Sequence, residues 1–187
     1  MKITLMTLGL GLALTSTALA QEEEPTPSKL DIRAGSGVAF MGSGDMLALQ
    51  FENELNYRLN PYFTVAASAG FGKSDVIGDQ TASFLQGNTN VFVSPFRNDG
   101  YMDLRVGGGL SLYNVSHARV QAISYENGEI VDVDHRLDQR SSLGFNIILE
   151  YSLAVGEKYL IGAKAFTQPY LSGDINSGLV FKAGIRL

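Results

Sequence analysis

The chain has 187 residues, no cysteine and a formal charge of -5. Without cysteine there are no disulfides, no cysteine-ligated metals, no thiol catalysis and no lipidated N-terminal cysteine. The acidic balance gives a nucleic-acid partner no electrostatic support, and the length suits one domain with a sizeable core.

Residues 1–20 read as a secretory signal peptide. Lys2 supplies a positive start, Ile3 to Leu14 a short apolar stretch, and Ala18-Leu19-Ala20 an A-x-A cleavage site. The apolar stretch is shorter than the roughly 20 residues a spanning helix needs. The mature chain is expected to begin at Gln21, with 21–29, "QEEEPTPSK", as an acidic, proline-containing and disordered lead-in. No later segment has the uninterrupted apolar length of a helical span. Export then leads to the periplasm, the medium or the outer membrane.

From Leu30 onward the dominant period is two. In 46–59, "MLALQFENELNYRL", Leu47, Leu49, Phe51, Leu55, Tyr57 and Leu59 share one face, against Gln50, Glu52, Glu54, Asn56 and Arg58. A helix would scatter these groups, whereas a strand sorts them. Asn53 is the polar intruder on the apolar face. The same pattern predicts strands over 30–41, 46–59, 62–72, 89–97, 101–114, 141–153, 159–167 and 178–187. The fourth, around "TNVFVSPFR", is apolar on both faces and carries Pro95. The last, "GLVFKAGIRL", alternates through Leu187. No stretch of comparable length has helical periodicity.

The connections alternate in character. Those at Asn60-Pro61, Asn98–Gly100 and Val155–Lys158 are tight, with residues suited to positive φ. Those after the third, fifth and seventh strands are expected to be longer, the longest running from Val115 to Arg140. Only "GSGD", at 42–45, is short on that side.

The apolar faces carry no charge. The opposite faces carry Asp31, Arg33, Glu52, Glu54, Arg58, Asp103, Arg105, Glu150, Lys164, Lys182 and Arg186, five acids and six bases, interleaved with glycines such as Gly35, Gly107 and Gly184. A soluble barrel's outer wall has no need of so many glycines. A narrow lumen does, because bulky ionic side chains need empty neighbours, and a near-neutral mixture lets buried charges pair. The apolar face is therefore assigned to lipid and the charged face to the lumen. Tyr57, Tyr62, Phe63, Phe96, Tyr101, Tyr151 and Tyr159 cluster near the tight turns, where an interfacial girdle would lie. In hydrocarbon an open sheet edge is forbidden, so the terminal strand must pair with 30–41. An even strand number puts both termini on one side, the periplasm, and the longer loops outside.

This pattern resembles the small porin-like outer-membrane barrels of the OmpA transmembrane-domain, OmpX and OmpW type. The resemblance covers essentially the whole mature chain, with the barrel domain over 30–187, and lies in pattern without a diagnostic motif. It implies an all-β, eight-stranded antiparallel up-and-down transmembrane β-barrel in a Gram-negative outer membrane. It also implies a monomer that contacts outer-membrane lipid and lipopolysaccharide and is inserted by the barrel assembly machinery. In that class the final residue is commonly aromatic; Leu187, with Phe181 upstream, departs from this.

Candidate chemistry is sparse. Ser116-His117 with Asp132 or Asp134 has the residue types of a hydrolytic triad, but no spacing that brings them together. The aspartates of "DVDHRLDQR", around His135, lack the glycine turn and terminal glutamate of an EF-hand loop. "VGGGL" at 106–110 has no Lys-Ser/Thr after it and is no phosphate loop. No catalytic, cofactor or metal site is assigned. The residues singled out are a structural network of lumenal charges: Arg33, Glu52, Glu54, Arg58, Asp103, Arg105, Glu150, Lys164, Lys182 and Arg186. The expected function is a structural or surface-interaction role through extracellular loops, over a charged, largely filled lumen. A narrow conduit for small or apolar solutes and a lipid-modifying enzyme are the alternatives.

Overall fold

A computed structural model describes residues 28–42, 46–75, 80–96, 101–126 and 129–187, with the backbone course alone for 75, 80, 119–126 and 129–136. The expected signal peptide and most of the lead-in lie outside the described residues. Eight strands follow: β1 (Leu30–Met41), β2 (Met46–Arg58), β3 (Phe63–Asp75), β4 (Gln80–Val93), β5 (Met102–Glu126), β6 (Glu129–Val155), β7 (Tyr159–Pro169) and β8 (Ile175–Arg186). They form a closed antiparallel barrel in chain order.

Closure is made by β1 and β8, in register from Asp31 opposite Arg186 to Phe40 opposite Ser177. The Leu187 N–H donates to the Leu30 carbonyl at 2.9 Å, so pairing continues through the last residue. A chain end that would otherwise fray is thus held on both flanks, by β1 and by β7.

The burial pattern inverts that of a soluble protein. Outward residues such as Ile147 and Phe181 are 61% and 64% exposed, while Arg105 and Lys164 on the inner face are 0% and 1% exposed. Because side chains alternate along a strand, one register assigns every residue to outer wall or lumen. The aromatic residues expected in a girdle are all exposed. They lie at or beside the β2–β3, β4–β5 and β6–β7 turns, at the barrel end that carries the described N-terminal residues and the C-terminus. Asn60 shapes the first of these turns, its Oδ1 accepting from the Tyr62 and Phe63 N–H groups at 2.8 and 3.0 Å. Gly156, at φ 66°, supplies the left-handed position in the third.

At the other end the sequence expectation needs correction. The stretch 115–140 is not a loop but the continuation of β5 and β6, joined across residues 127–128. Likewise β4 starts at Gln80 rather than 89, β3 runs to Asp75 and β8 starts at Ile175. The long connections are therefore mostly strand. Their outer positions include Thr81, Ser83, Asn114, Ser141 and Ser177. Toward this end the outer face is no longer uniformly apolar, so the polar–apolar alternation that marks a strand fades there while the ladder continues. β5 and β6 bulge between Val120 and Ala122 and between Ser124 and Tyr125, and they run on past the last β4 partner, which pairs Gln80 with Arg119.

Candidate functional site

The inner faces of β1, β2, β5, β6, β7 and β8 converge on one ion-paired cluster. Glu54 and Glu150 sit at its centre. Arg105 reaches both, at 3.2 Å to Glu54 and 2.7 Å to Glu150. Lys182 spans three carboxylates, Glu54 at 2.7 Å, Glu52 at 3.0 Å and Glu150 at 3.2 Å. Lys164 lies 2.5 and 2.6 Å from the two oxygens of Glu52. Arg33 donates to Glu150 at 2.5 Å and, through Nε, to Asp31 at 2.6 Å. Four cations thus meet four carboxylates, Asp31, Glu52, Glu54 and Glu150, all of them buried. An isolated ion here would be very costly; the shared geometry is what offsets desolvation.

Glycine makes the room. A Cβ at Gly184 would lie 2.7 Å from the Arg33 side chain, and one at Gly35 2.8 Å from that of Lys182. Gly107 serves a ring instead of an ion: the Phe92 side chain fills the space its Cβ would take, and Arg105 lies over that ring, 4.2 Å from the centroid.

The structure therefore brings together Arg33, Glu52, Glu54, Arg105, Glu150, Lys164 and Lys182, with Asp31 added. Arg58, Asp103 and Arg186 share the inner face but lie apart from that cluster. They line a crevice at the barrel end that holds the termini. Asp103 accepts from Ser94 Oγ at 2.9 Å.

Beyond the ions lies an apolar layer of Ala39, Ala66, Phe92, Ile148, Phe166 and Val180. There is also a chain of side-chain amides that the sequence reading did not single out. Asn176 donates to Gln86 at 3.0 Å and to Gln168 at 3.3 Å, Gln168 donates to Asn88 at 3.2 Å, and Asn146 donates to Asn90 at 2.6 Å and to Asn88 at 3.4 Å. Tyr170 joins it through Gln168 and Ser111, each at 3.0 Å. Several amide atoms remain unpaired, including both polar atoms of the Gln50 side chain and Nε2 of Gln86. The signal that could have found this chain is inward alternation of Asn and Gln: Asn90 and Asn146 fall inside predicted strands, while Gln86, Asn88, Gln168 and Asn176 lie in strand ends beyond the predicted bounds. Phe84, Tyr113 and Tyr170 then meet across the lumen, the two tyrosines stacked with centroids 4.4 Å apart and Phe84 tilted against Tyr113.

The triad residue types do not assemble. Ser116 and His117 are adjacent on β5, so their side chains point to opposite faces. His117 is buried, with Arg140 Nη2 at 3.5 Å, and Arg140 also pairs with Asp174. The side chains of Asp132, Asp134 and His135 lie outside the described residues. Among the described residues no three acidic or histidine side chains converge as a metal centre.

No protein-family model and no curated protein sequence matches the chain. Solved structures do. The chain is similar to Neisserial surface protein A, with a TM-score of 0.66 and 14% identity over 86% of this chain and 98% of that one. It is similar to Ail, the attachment invasion locus protein of Yersinia pestis, with a TM-score of 0.60 and 12% identity over 87% and 100% of the two chains. It is also similar to the outer membrane protein OprG from Pseudomonas aeruginosa, with a TM-score of 0.53 and 12% identity over 85% and 93%. At such identities the likeness is one of fold. The chain has the fold of the small eight-stranded outer-membrane barrels, as its alternation predicted.

Proposed function

We propose that this chain is an integral protein of a bacterial outer membrane that acts through the surface carried by its β5–β6 hairpin, over a lumen closed to ions. Both termini face the periplasm and the hairpin faces outward. The observation that carries the reading is the hairpin itself. Its strands have 25 and 27 residues, against 11 to 14 for the others. Tilted strands of about 9–11 residues suffice to cross a bilayer, so the excess has no spanning role. A free two-stranded ribbon is marginal alone; this one grows out of a closed barrel that anchors it. The lumenal ion pairs support the closed-lumen half, since conduction would have to break contacts that stabilise one another. Ail, of the same fold, is by its name a protein of attachment and invasion, which supports a surface role. The chain is read as non-enzymatic: Ser116 and His117 point to opposite faces.

The cysteine-free sequence makes the test clean. Asn127→Cys, in the sequence between β5 and β6, is expected to react with a membrane-impermeant maleimide on intact cells. Glu157→Cys, in the β6–β7 turn, is expected to react only after the outer membrane is permeabilised. The reverse pattern would overturn the orientation, and labelling of both positions only after permeabilisation would remove the membrane assignment.

A further inference from the structure

The four-by-four cluster balances itself, so the charges left at the terminal end of the lumen must find their own partners. They are Arg58 at the end of β2, Arg186 at the end of β8 and Asp103 near the start of β5. Asp103 is engaged by Ser94. Among the described residues, the side chains of Arg58 and Arg186 make no hydrogen bond and no ion pair, and none to the chain's terminal carboxylate. Nε of Arg186 is shut from solvent without a partner.

Both arginines line one crevice, together with Arg33, Asp103, Tyr101 and Ser152. Arg33 is committed to Asp31, Glu150 and Ser152. Arg186 and Arg33 act on Arg58 as like charges, and Asp103 and Asp31 as opposite ones. Two half-buried guanidiniums therefore line one crevice, and the two carboxylates that act on Arg58, Asp103 and Asp31, are already engaged, by Ser94 and by Arg33. Like charges in a partly desolvated site repel by more than they would in water, and an anion between them turns that repulsion into attraction. A guanidinium presents a planar fork of donors that matches oxyanions in bidentate fashion. A single carboxylate is filled by one fork; a phosphate has oxygens for two.

We propose that the Arg58–Arg186 crevice is an oxyanion site that takes a phosphate group at the end of the barrel carrying the termini. Tyr101, exposed beside it, and the aromatic belt at the same level put the crevice where a membrane interface would lie. The phosphate can come from an anionic phospholipid headgroup or from the free ion. The two sources share their chemistry, and the experiment separates them.

The test titrates inorganic phosphate, at constant ionic strength set with chloride, into the detergent-solubilised barrel while phosphorus NMR reads binding. Folding of every variant is checked by its heat-dependent gel mobility. Saturable binding is expected, at least tenfold weaker in Arg58→Gln and in Arg186→Gln, and unchanged in Arg140→Gln, which removes a cation at the opposite end. A second readout excludes a merely structural role. In phosphate-free buffer Arg186→Gln is expected to unfold at the same or a higher temperature than the parent, because a like-charge contact is lost, and phosphate is expected to raise the midpoint of the parent alone. Absence of saturable binding, equal affinity in all variants, or an Arg186→Gln midpoint lowered equally with and without phosphate would each overturn the site. Phosphatidylglycerol micelles that displace phosphate, where phosphatidylcholine does not, assign the headgroup as the source; failure to displace assigns the free ion. A negative result leaves the hairpin reading standing, since maleimide labelling does not depend on this crevice.

Discussion

The two halves of the lumen solve the same problem differently. Near the termini, eight charged side chains form a cluster in which each ion has at least one opposite neighbour, and Glu54, Glu150 and Lys182 have three each. Toward the hairpin, neutral amides and tyrosines cross the lumen in a chain, and polar atoms of Gln50, Gln86, Asn90, Asn146 and Asn176 are left unpaired. A buried ion without a partner costs far more than a buried amide without one. The charged half is therefore held to one arrangement, while the amide half tolerates imperfect pairing. Rigidity in this barrel is expected to follow charge, and to be greatest near the chain termini.

Removing a central carboxylate should break that contrast most severely. Glu150→Ala removes the one anion that Arg33, Arg105 and Lys182 all contact in a buried site, a loss of about 3–5 kcal/mol by the cost of breaking buried pairs. Chemical unfolding of the refolded barrel should show it as a large drop in midpoint. An effect no bigger than that of an amide substitution would erase the distinction between the halves.

The next prediction concerns the wall that makes the two halves possible. Ala183 lies exposed on the outer face, the lipid side in the proposed reading, and Lys182, one residue away, faces the cluster. Ala183→Arg is expected to cost about 2–4 kcal/mol if it lies near mid-bilayer. Lys182→Ala removes one of four cations and leaves Glu54 and Glu150 with Arg105. It should be tolerated better, read by the yield of heat-modifiable protein. If Ala183→Arg assembles normally and Lys182→Ala fails, the faces are reversed.

How far the sequence carried this account differs between the same two halves. In β1 and β2 the outer face is apolar and the inner face ionic, so alternation between Leu30 and Arg58 gave strands, register and lumenal charges together. Pairing of β8 with β1 followed from closure alone. At the hairpin end, segments such as 80–88 carry Thr, Ser, Gln, Gly and Asn on both faces. Period two is then invisible, so alternation starts β4 too late and gives the β5–β6 ribbon the look of a loop. Most of the amide chain is missed for the same reason. Within the charged half, alternation put Arg58 and Arg186 on the inner face but could not tell depth along the barrel. Strand tilt decides which inward residues meet, and that stagger is not written in any single strand.

A smaller effect probes the amide half directly. Asn146→Ala removes a donor to Asn90 and Asn88 and leaves their acceptors buried, a loss of about 1–3 kcal/mol. Thermal midpoints should order the variants Glu150→Ala below Asn146→Ala below the parent. Smallest of all should be Ser83→Ala, on the outer face of β4 where no hydrogen bond of its side chain is made among the described residues; its midpoint should lie within experimental scatter of the parent.

The central claim is that the ion-paired half closes the lumen, and conductance in a planar bilayer tests it most directly. The purified barrel should insert without producing steps above the baseline, while Glu52→Ala combined with Glu54→Ala, which strips Lys164 and Lys182 of their nearest anions, should produce flickering leak currents wherever it still folds. Large, stable steps from the unmodified protein would contradict the account.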